Sequence, residues 1–175
     1  MKIIIFAHLT IALLLSIFAA NEVQASNTIN VQQHFKQLQA LAGKWHGQYK
    51  TGGTHQVSYR LSARGSALVE TWTMSKDSES LTIYTLDNDR LLATHYCPQG
   101  NQVTLMLSDV DDENRLHFEF LEGRNLHDES GHHQTSFWVQ VSDETFTRSE
   151  TYAPNKNTQT ATLEEGESVV YRRVK

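Results

Sequence analysis

The chain reads as an all-β protein, an antiparallel barrel of about ten strands with one N-terminal helix. Three observations predict it. After residue 43, apolar and polar residues alternate at period two through roughly ten segments, evenly spaced as in an up-and-down barrel. Only two prolines occur, Pro98 and Pro154, and both fall where strands should end, as uninterrupted ladders require. One stretch alone, residues 30–42, carries helical periodicity.

Before the helix, residues 1–25 have the layout of a secretory signal peptide. Met1-Lys2 is a short basic start, Ile3 to Phe18 is mostly apolar, and Val23-Gln24-Ala25 sets small residues at −3 and −1 before Ser26. His8, Thr10 and Ser16 interrupt the apolar run and no basic cluster follows it, which favours cleavage over a retained anchor. Residues 26–175 are then the mature domain, in the periplasm or secreted, with no membrane association after cleavage. Removing 25 of the 175 residues leaves 150, enough for one domain that buries about 68–70% of its unfolded surface. Lys2 and Glu22 cancel, so the mature net charge stays at −5. That balance excludes nucleic acid, whose binding needs clustered Lys and Arg. The one cysteine, Cys97, excludes an internal disulfide framework, so stability must come from a packed core.

In the helix, Val31, Phe35, Leu38 and Ala42 fall at i, i+4, i+7 and i+11, and Leu41 widens the stripe. Asn30 suits the N-cap, and Gly43 suits a left-handed stop. The strands follow at residues 44–50, around Val57, Tyr59 and Leu61, and around Leu68, Glu70, Trp72 and Met74. They continue at 81–87, 90–97, 102–108, 115–121, 134–141, 144–152, around Ala161, and at 168–174. The stretches 86–90 (LDNDR) and 109–114 (DVDDEN) are rich in residues that tolerate turn conformations. Barrel closure removes sheet edges and can enclose one small ligand. The helix stripe needs an apolar partner, and one mouth of the barrel supplies it.

Several stretches resemble a known family. Gly43-Lys44-Trp45 within LAGKWHGQY (41–49) is similar to the Gly-x-Trp opening of lipocalin-like proteins. RGSALVET (64–71), IYTLDNDRLLATHYCPQGNQ (83–102) and the later Asn125, Leu126, His132 and His133 resemble a bacterial lipocalin-like (calycin-type) domain family of unknown function, marked by a THYC-x-x-GNQ motif. The likeness spans most of residues 38–140. Asn88 stands where that family has a turn glycine, and VTLML follows Gln102 where it has Pro-x-Met. The resemblance implies a lipocalin- or fatty-acid-binding-protein-like barrel in which Gly43 and Trp45 are structural and an arginine of the last strand, Arg172 or Arg173, covers the tryptophan. Related small barrels hold fatty acids, retinoids or haem. The family itself brings no assigned chemistry, so function must be read from side chains.

Strand parity names those side chains. In ETFTRSETY (144–152), Thr145, Thr147, Ser149 and Thr151 form one face; Phe146, Arg148, Glu150 and Tyr152 form the other. An inward Phe146 takes Arg148, Glu150 and Tyr152 with it. Glu70 shares a face with Leu68 and Trp72, Tyr59 with Val57, His95 with Leu91, Ala93 and Cys97, and His133 with Phe137 and Val139. The interior set is therefore His95, Glu70, Arg148, Glu150, His133, Tyr59 and Tyr152. Buried charges must be paired or hydrated, so this set is either a self-satisfied network or a polar anchor for a ligand's head group, with Arg148 as a forked donor.

His95 and Cys97, two apart on a strand, lie about 6–7 Å apart at Cα. A cysteine nucleophile also needs an orienting group and an oxyanion hole, and neither has a signature here, so no residue is assigned as catalytic. His127, Asp128, His132 and His133 offer zinc-type ligands, but their spacing around a glycine reads as a hydrated loop, and no metal site is assigned. The function expected is small-molecule binding, with an apolar or amphipathic ligand in the barrel. Two alternatives stand beside it: an enzyme using His95 with Glu70 or Glu150 as acid and base, and a haem- or metal-binding barrel. N-terminal sequencing of the exported protein should read from Ser26; a membrane-bound form starting at Met1 would contradict the leader.

Overall fold

The computed structural model describes residues 29–50, 52–127, 131–155 and 164–175. The leader at 1–25 and the strand expected around Ala161 lie outside these. The fold is a closed ten-stranded antiparallel β-barrel with one short N-terminal helix. The helix α1 (Val31–Gln39) leads into β1 (Gly43–Gln48), β2 (Thr54–Ser62), β3 (Ala67–Ser75), β4 (Ser78–Asp87) and β5 (Arg90–Tyr96). The chain continues through β6 (Gln102–Val110), β7 (Leu116–Arg124), β8 (His132–Val141), β9 (Thr145–Pro154), β10 (Glu164–Glu165) and β11 (Val169–Arg173). Strands β1 to β9 pair in order. β11 then closes the ring between β9 and β1, and the two-residue β10 extends β9 at Thr151 and Tyr152.

Asn30 caps α1 as expected, its Oδ1 accepting from the Gln33 N–H at 3.1 Å. Val31, Phe35 and Leu38 turn inward and join the barrel core. The helix stops at Gln39, short of residue 42, and Gly43 does not terminate it. Gly43 instead opens β1 at φ +139°, where a Cβ would come within 2.6 Å of Arg173 Nη1. The absence of a side chain lets Arg173 reach back from the end of β11. It donates from Nη1 to the Ala42 carbonyl at 2.8 Å and from Nη2 to the Ala40 carbonyl at 2.9 Å. Trp45 Nε1 donates to the Leu41 carbonyl at 2.7 Å, and the Arg173 guanidinium lies 4.2 Å from the Trp45 ring centre. Three consecutive carbonyls after the helix thus find side-chain donors. The arginine expected over Trp45 is Arg173; Arg172 takes no part in that contact.

With α1 at one end, the lumen is filled layer by layer. Trp45, Phe146 and Tyr171 form one packed group, Phe146 stacked on Tyr171 at 4.5 Å and edge-on to Trp45 at 5.1 Å. Phe118 stacks on Phe137 at 4.6 Å, with Tyr84 edge-on to both. The ends of β1, β3, β5, β7 and β9 and the starts of β2, β4, β6 and β8 form the opposite rim.

The ladders shift register at four places, at Met74 in β3, at Ser108 in β6, and at two more in β7 and β8. Leu121 is an extra residue in β7 against β6, and Thr135 is an extra residue in β8 against β9. Bulges of this kind bend a strand and reverse its parity. The two in β7 and β8 occur where those strands part, since they pair only at Leu116–Glu119. Leu61 and Met74, assigned by parity to inward faces, are exposed at the strand ends.

Gly47 has no room for a side chain, because a Cβ would overlap the ring of buried Tyr171. Gly47→Ala should therefore destabilise the barrel by about 1–3 kcal/mol in denaturant unfolding. Gly53→Ala, whose Cβ would have its nearest neighbour at 3.8 Å, should stay within about 0.5 kcal/mol of the parent.

Candidate functional site

Cross-strand register assembles the polar interior. Tyr59, Glu70, Thr82, His95 and Val103 lie directly opposite one another on β2 to β6 and form one inward row. Arg148 and Glu150 enter from β9 on the far side of the lumen, and Tyr152 follows two residues on.

Glu70 is fully buried and accepts three hydrogen bonds. Tyr84 Oη donates to Oε2 at 2.6 Å, Arg148 Nη1 donates to the same oxygen at 2.8 Å, and Trp72 Nε1 donates to Oε1. Arg148 Nη1 also donates to Tyr84 Oη at 2.8 Å, and its Nε donates to Glu150 Oε1 at 2.6 Å. Tyr152 Oη completes the chain by donating to Glu150 Oε2 at 2.9 Å. The Arg148 guanidinium lies 4.1 Å from the Phe137 ring centre and its side chain is 1% exposed. Every group that meets Glu70 or Glu150 is a donor, which is the pattern of carboxylates rather than carboxylic acids. Two negative charges therefore face one guanidinium.

The surrounding groups titrate accordingly. Burial first, then the Glu70 and Glu150 carboxylates, push the phenols of Tyr59 and Tyr152 well up, so both remain protonated. Burial lowers the His95 pKa against the opposing pull of Glu150, leaving a neutral ring at neutral pH. His95 Nδ1 lies 3.2 Å from Thr82 Oγ1. Some buried polar atoms have no partner among the described residues: Tyr59 Oη, Asn101 Oδ1, and both ends of the Gln134 amide.

Of the seven residues that parity places inside, six face the lumen. His133 does not. The bulge at Thr135 puts Gln134 opposite Tyr152 on the inward face and turns His133 to the other side. There it meets Asn155 Oδ1 at 2.9 Å and the edge of Phe120. Arg148 is inward, but its Nε and Nη1 are committed to Glu150, Glu70 and Tyr84, which leaves it a poor anchor for an anionic head group.

His95 lies at the end of β5 and Cys97 just past it, and the chain turns at once. Cys97 N–H donates to the Asn101 carbonyl at 3.0 Å and Gly100 sits at φ +87°. The THYCPQGNQ stretch is a strand running into a tight turn. Of the histidine loop, Asp128 lies outside the described residues. His127 is exposed, and His132 contacts Gln99 and the ring of Tyr152. No group of three or more potential ligands among the described residues is arranged to hold a metal ion.

Hollows of about 380 Å³ beside Lys44, Gln56 and Ser58 and of about 360 Å³ beside Arg115, His117 and Glu119 do not reach the interior polar set; the space that does lies at the rim away from α1. One cavity of about 210 Å³ is lined by Tyr49, His55, Trp72, Met74, Ser80, His95, Glu150 and Tyr152. A second of about 110 Å³ shares Tyr49, Trp72, Glu150 and Tyr152 with it and extends towards Arg148 and Tyr171. The sequence reading passed over Tyr84, Tyr49, His55 and Gln134. Tyr84 was within reach, since it alternates with Thr82 and Leu86 in a recognised strand. The inward turn of Gln134 depends on a bulge that no alternation pattern records.

A comparison with models of known protein families finds no match, and a comparison with characterised proteins finds none either.

Arg148→Met should cost about 3–5 kcal/mol, because it strands the buried Glu70 carboxylate. Adding Glu70→Gln should recover at least half of that loss in urea unfolding. A single variant as stable as the parent would contradict the pairing.

Proposed function

We propose that this protein is an exported, non-enzymatic binding barrel that takes one compact amphipathic molecule at its open mouth. The observation that carries the reading is where free space lies. The lumen near α1 is occupied by buried aromatic rings, whereas the rim holds a cavity of about 210 Å³ with apolar walls and a few polar groups. Drug-sized ligands occupy pockets of about 300–1,000 Å³, and a cavity of about 150 Å³ admits benzene. The ligand is therefore small. A long fatty-acid or retinoid chain would need a hollow lumen, and haem a wider one still.

Export is part of the proposal and rests on residues 1–25. Kinship with the lipocalin-like barrels is supported by Gly43 and Trp45 beneath Arg173. Acid–base catalysis by His95 is a second reading, favoured by one observation: a neutral His95 borders the same cavity as Glu150. Glu70 drops out as its partner, because three donors occupy its oxygens. Turnover that disappears in a folded His95→Ala variant, with binding retained, would select the enzyme.

The binding reading is tested with 3,3-dimethylbutan-1-ol, a compact neutral amphiphile. Titration calorimetry should show saturable one-to-one binding. Ser80→Leu, which fills the cavity from its wall, should remove that binding while the barrel's circular dichroism is kept. Unchanged binding in the variant would move the site elsewhere, and no saturable binding to the parent would overturn the reading.

A further inference from the structure

We propose that the mouth selects a compact organic cation, of the alkylammonium class, held against Glu150 within aromatic walls. This rests on the mouth being the binding site and names the chemistry it accepts. Two features of the cavity and one beside it lead there.

The first is charge. Glu150 is the one acidic residue lining the larger cavity, and no Lys or Arg lines it. Arg148 offsets only one of the two interior carboxylates. Glu70 takes its share with Arg148 Nη1, Tyr84 and Trp72, out of solvent, so the uncompensated charge is expressed at Glu150, whose side chain is 23% exposed. Each Glu150 oxygen accepts one bond, from Arg148 Nε or Tyr152 Oη, and a carboxylate oxygen has a further lone pair for another donor.

The second is the walls. Tyr49, His55, Trp72 and Tyr152 surround the space, with Tyr49 edge-on to His55 at 4.6 Å and His55 edge-on to Trp72 at 6.1 Å. Aromatic faces attract cations through their quadrupoles, most strongly where water is excluded. An anion gains nothing from such walls and meets a carboxylate at their base. Glu150 also helps to raise the Tyr49 and Tyr152 phenol pKa values, after burial itself, so those two walls stay uncharged.

The third is unspent hydrogen bonding. Gln134 is directly opposite Tyr152 on the inward face, wholly buried, with neither its amide nitrogen nor its oxygen paired among the described residues. An unpaired buried amide is costly, and such groups normally meet water or a ligand.

Charge can be varied at constant shape. Choline, 3,3-dimethylbutan-1-ol and 3,3-dimethylbutanoate present nearly the same bulk as cation, neutral molecule and anion. Calorimetry on the full mature chain should show choline binding at least tenfold more tightly than the alcohol, and the carboxylate more weakly than either. Glu150→Gln should erase the preference for choline over the alcohol; Glu150→Asp should restore part of it. If the alcohol binds and choline binds no better, the cation inference is overturned while the mouth remains a binding site. If the butanoate binds best, the charge assignment is overturned. If none of the three binds, the inference falls together with the reading beneath it. Because the ligand series is run on the unsubstituted protein, a variant that fails to fold does not remove the test.

Discussion

Arg148 can keep its charge inside the barrel only because Glu70, across the lumen on β3, and Glu150, along its own strand, both meet it. A lone guanidinium there would face a desolvation cost of several kcal/mol, and so would either carboxylate. Much of the interior follows from that mutual need. Tyr84 and Trp72 must aim their donors at Glu70, and Phe137 must lie flat under the guanidinium. The pair also ties opposite walls of the barrel together at one separation, since residues 78 apart in sequence share a hydrogen bond of 2.8 Å. Two acids against one base leave a residue of negative charge, and geometry delivers it to the mouth.

The barrel divides its contents by chemistry along its axis. Towards α1 the side chains are buried aliphatic and aromatic groups, Leu68, Leu91, Leu116, Trp45 and Phe146 among them, which need no solvent. Towards the rim they become mixed, with Ser80, His95, Glu150 and Tyr152 beside Trp72 and Met74. This gradient places any molecular recognition at one end.

Much of this was legible in the sequence, for definite reasons. Alternation revealed the strands because burial on one face of a pleated strand leaves a period of two. It also placed Glu70, His95, Arg148, Glu150, Tyr59 and Tyr152 on inward faces, since their strands run without interruption up to those residues. His133 was misplaced because one extra residue, Thr135, shifts the phase, and a bulged threonine looks like any other threonine in a strand. Gly43 was recognised as necessary for the wrong reason. As a helix stop it would act locally, whereas its role is to clear a path for Arg173 from the far end of the chain. Pairing across the lumen is hidden for the same reason: alternation tells which way Arg148 points, but the partners it meets depend on how the ring closes.

The grip of Arg173 on the carbonyls of Ala40 and Ala42 joins the C-terminal end of α1 to the last strand, and this has a temporal meaning. A polypeptide emerging from its N-terminus has α1 and β1 long before β11 exists. Until β11 arrives, β1 has one bare edge and β9 lacks a neighbour, so the ring stays open however well the middle strands have paired. Closure is the most non-local event in this topology and should limit its folding rate, in keeping with the slow folding of chains rich in distant contacts. On the proposal that the chain is exported, a final step that requires the C-terminal strand keeps the thread open until its end has passed through.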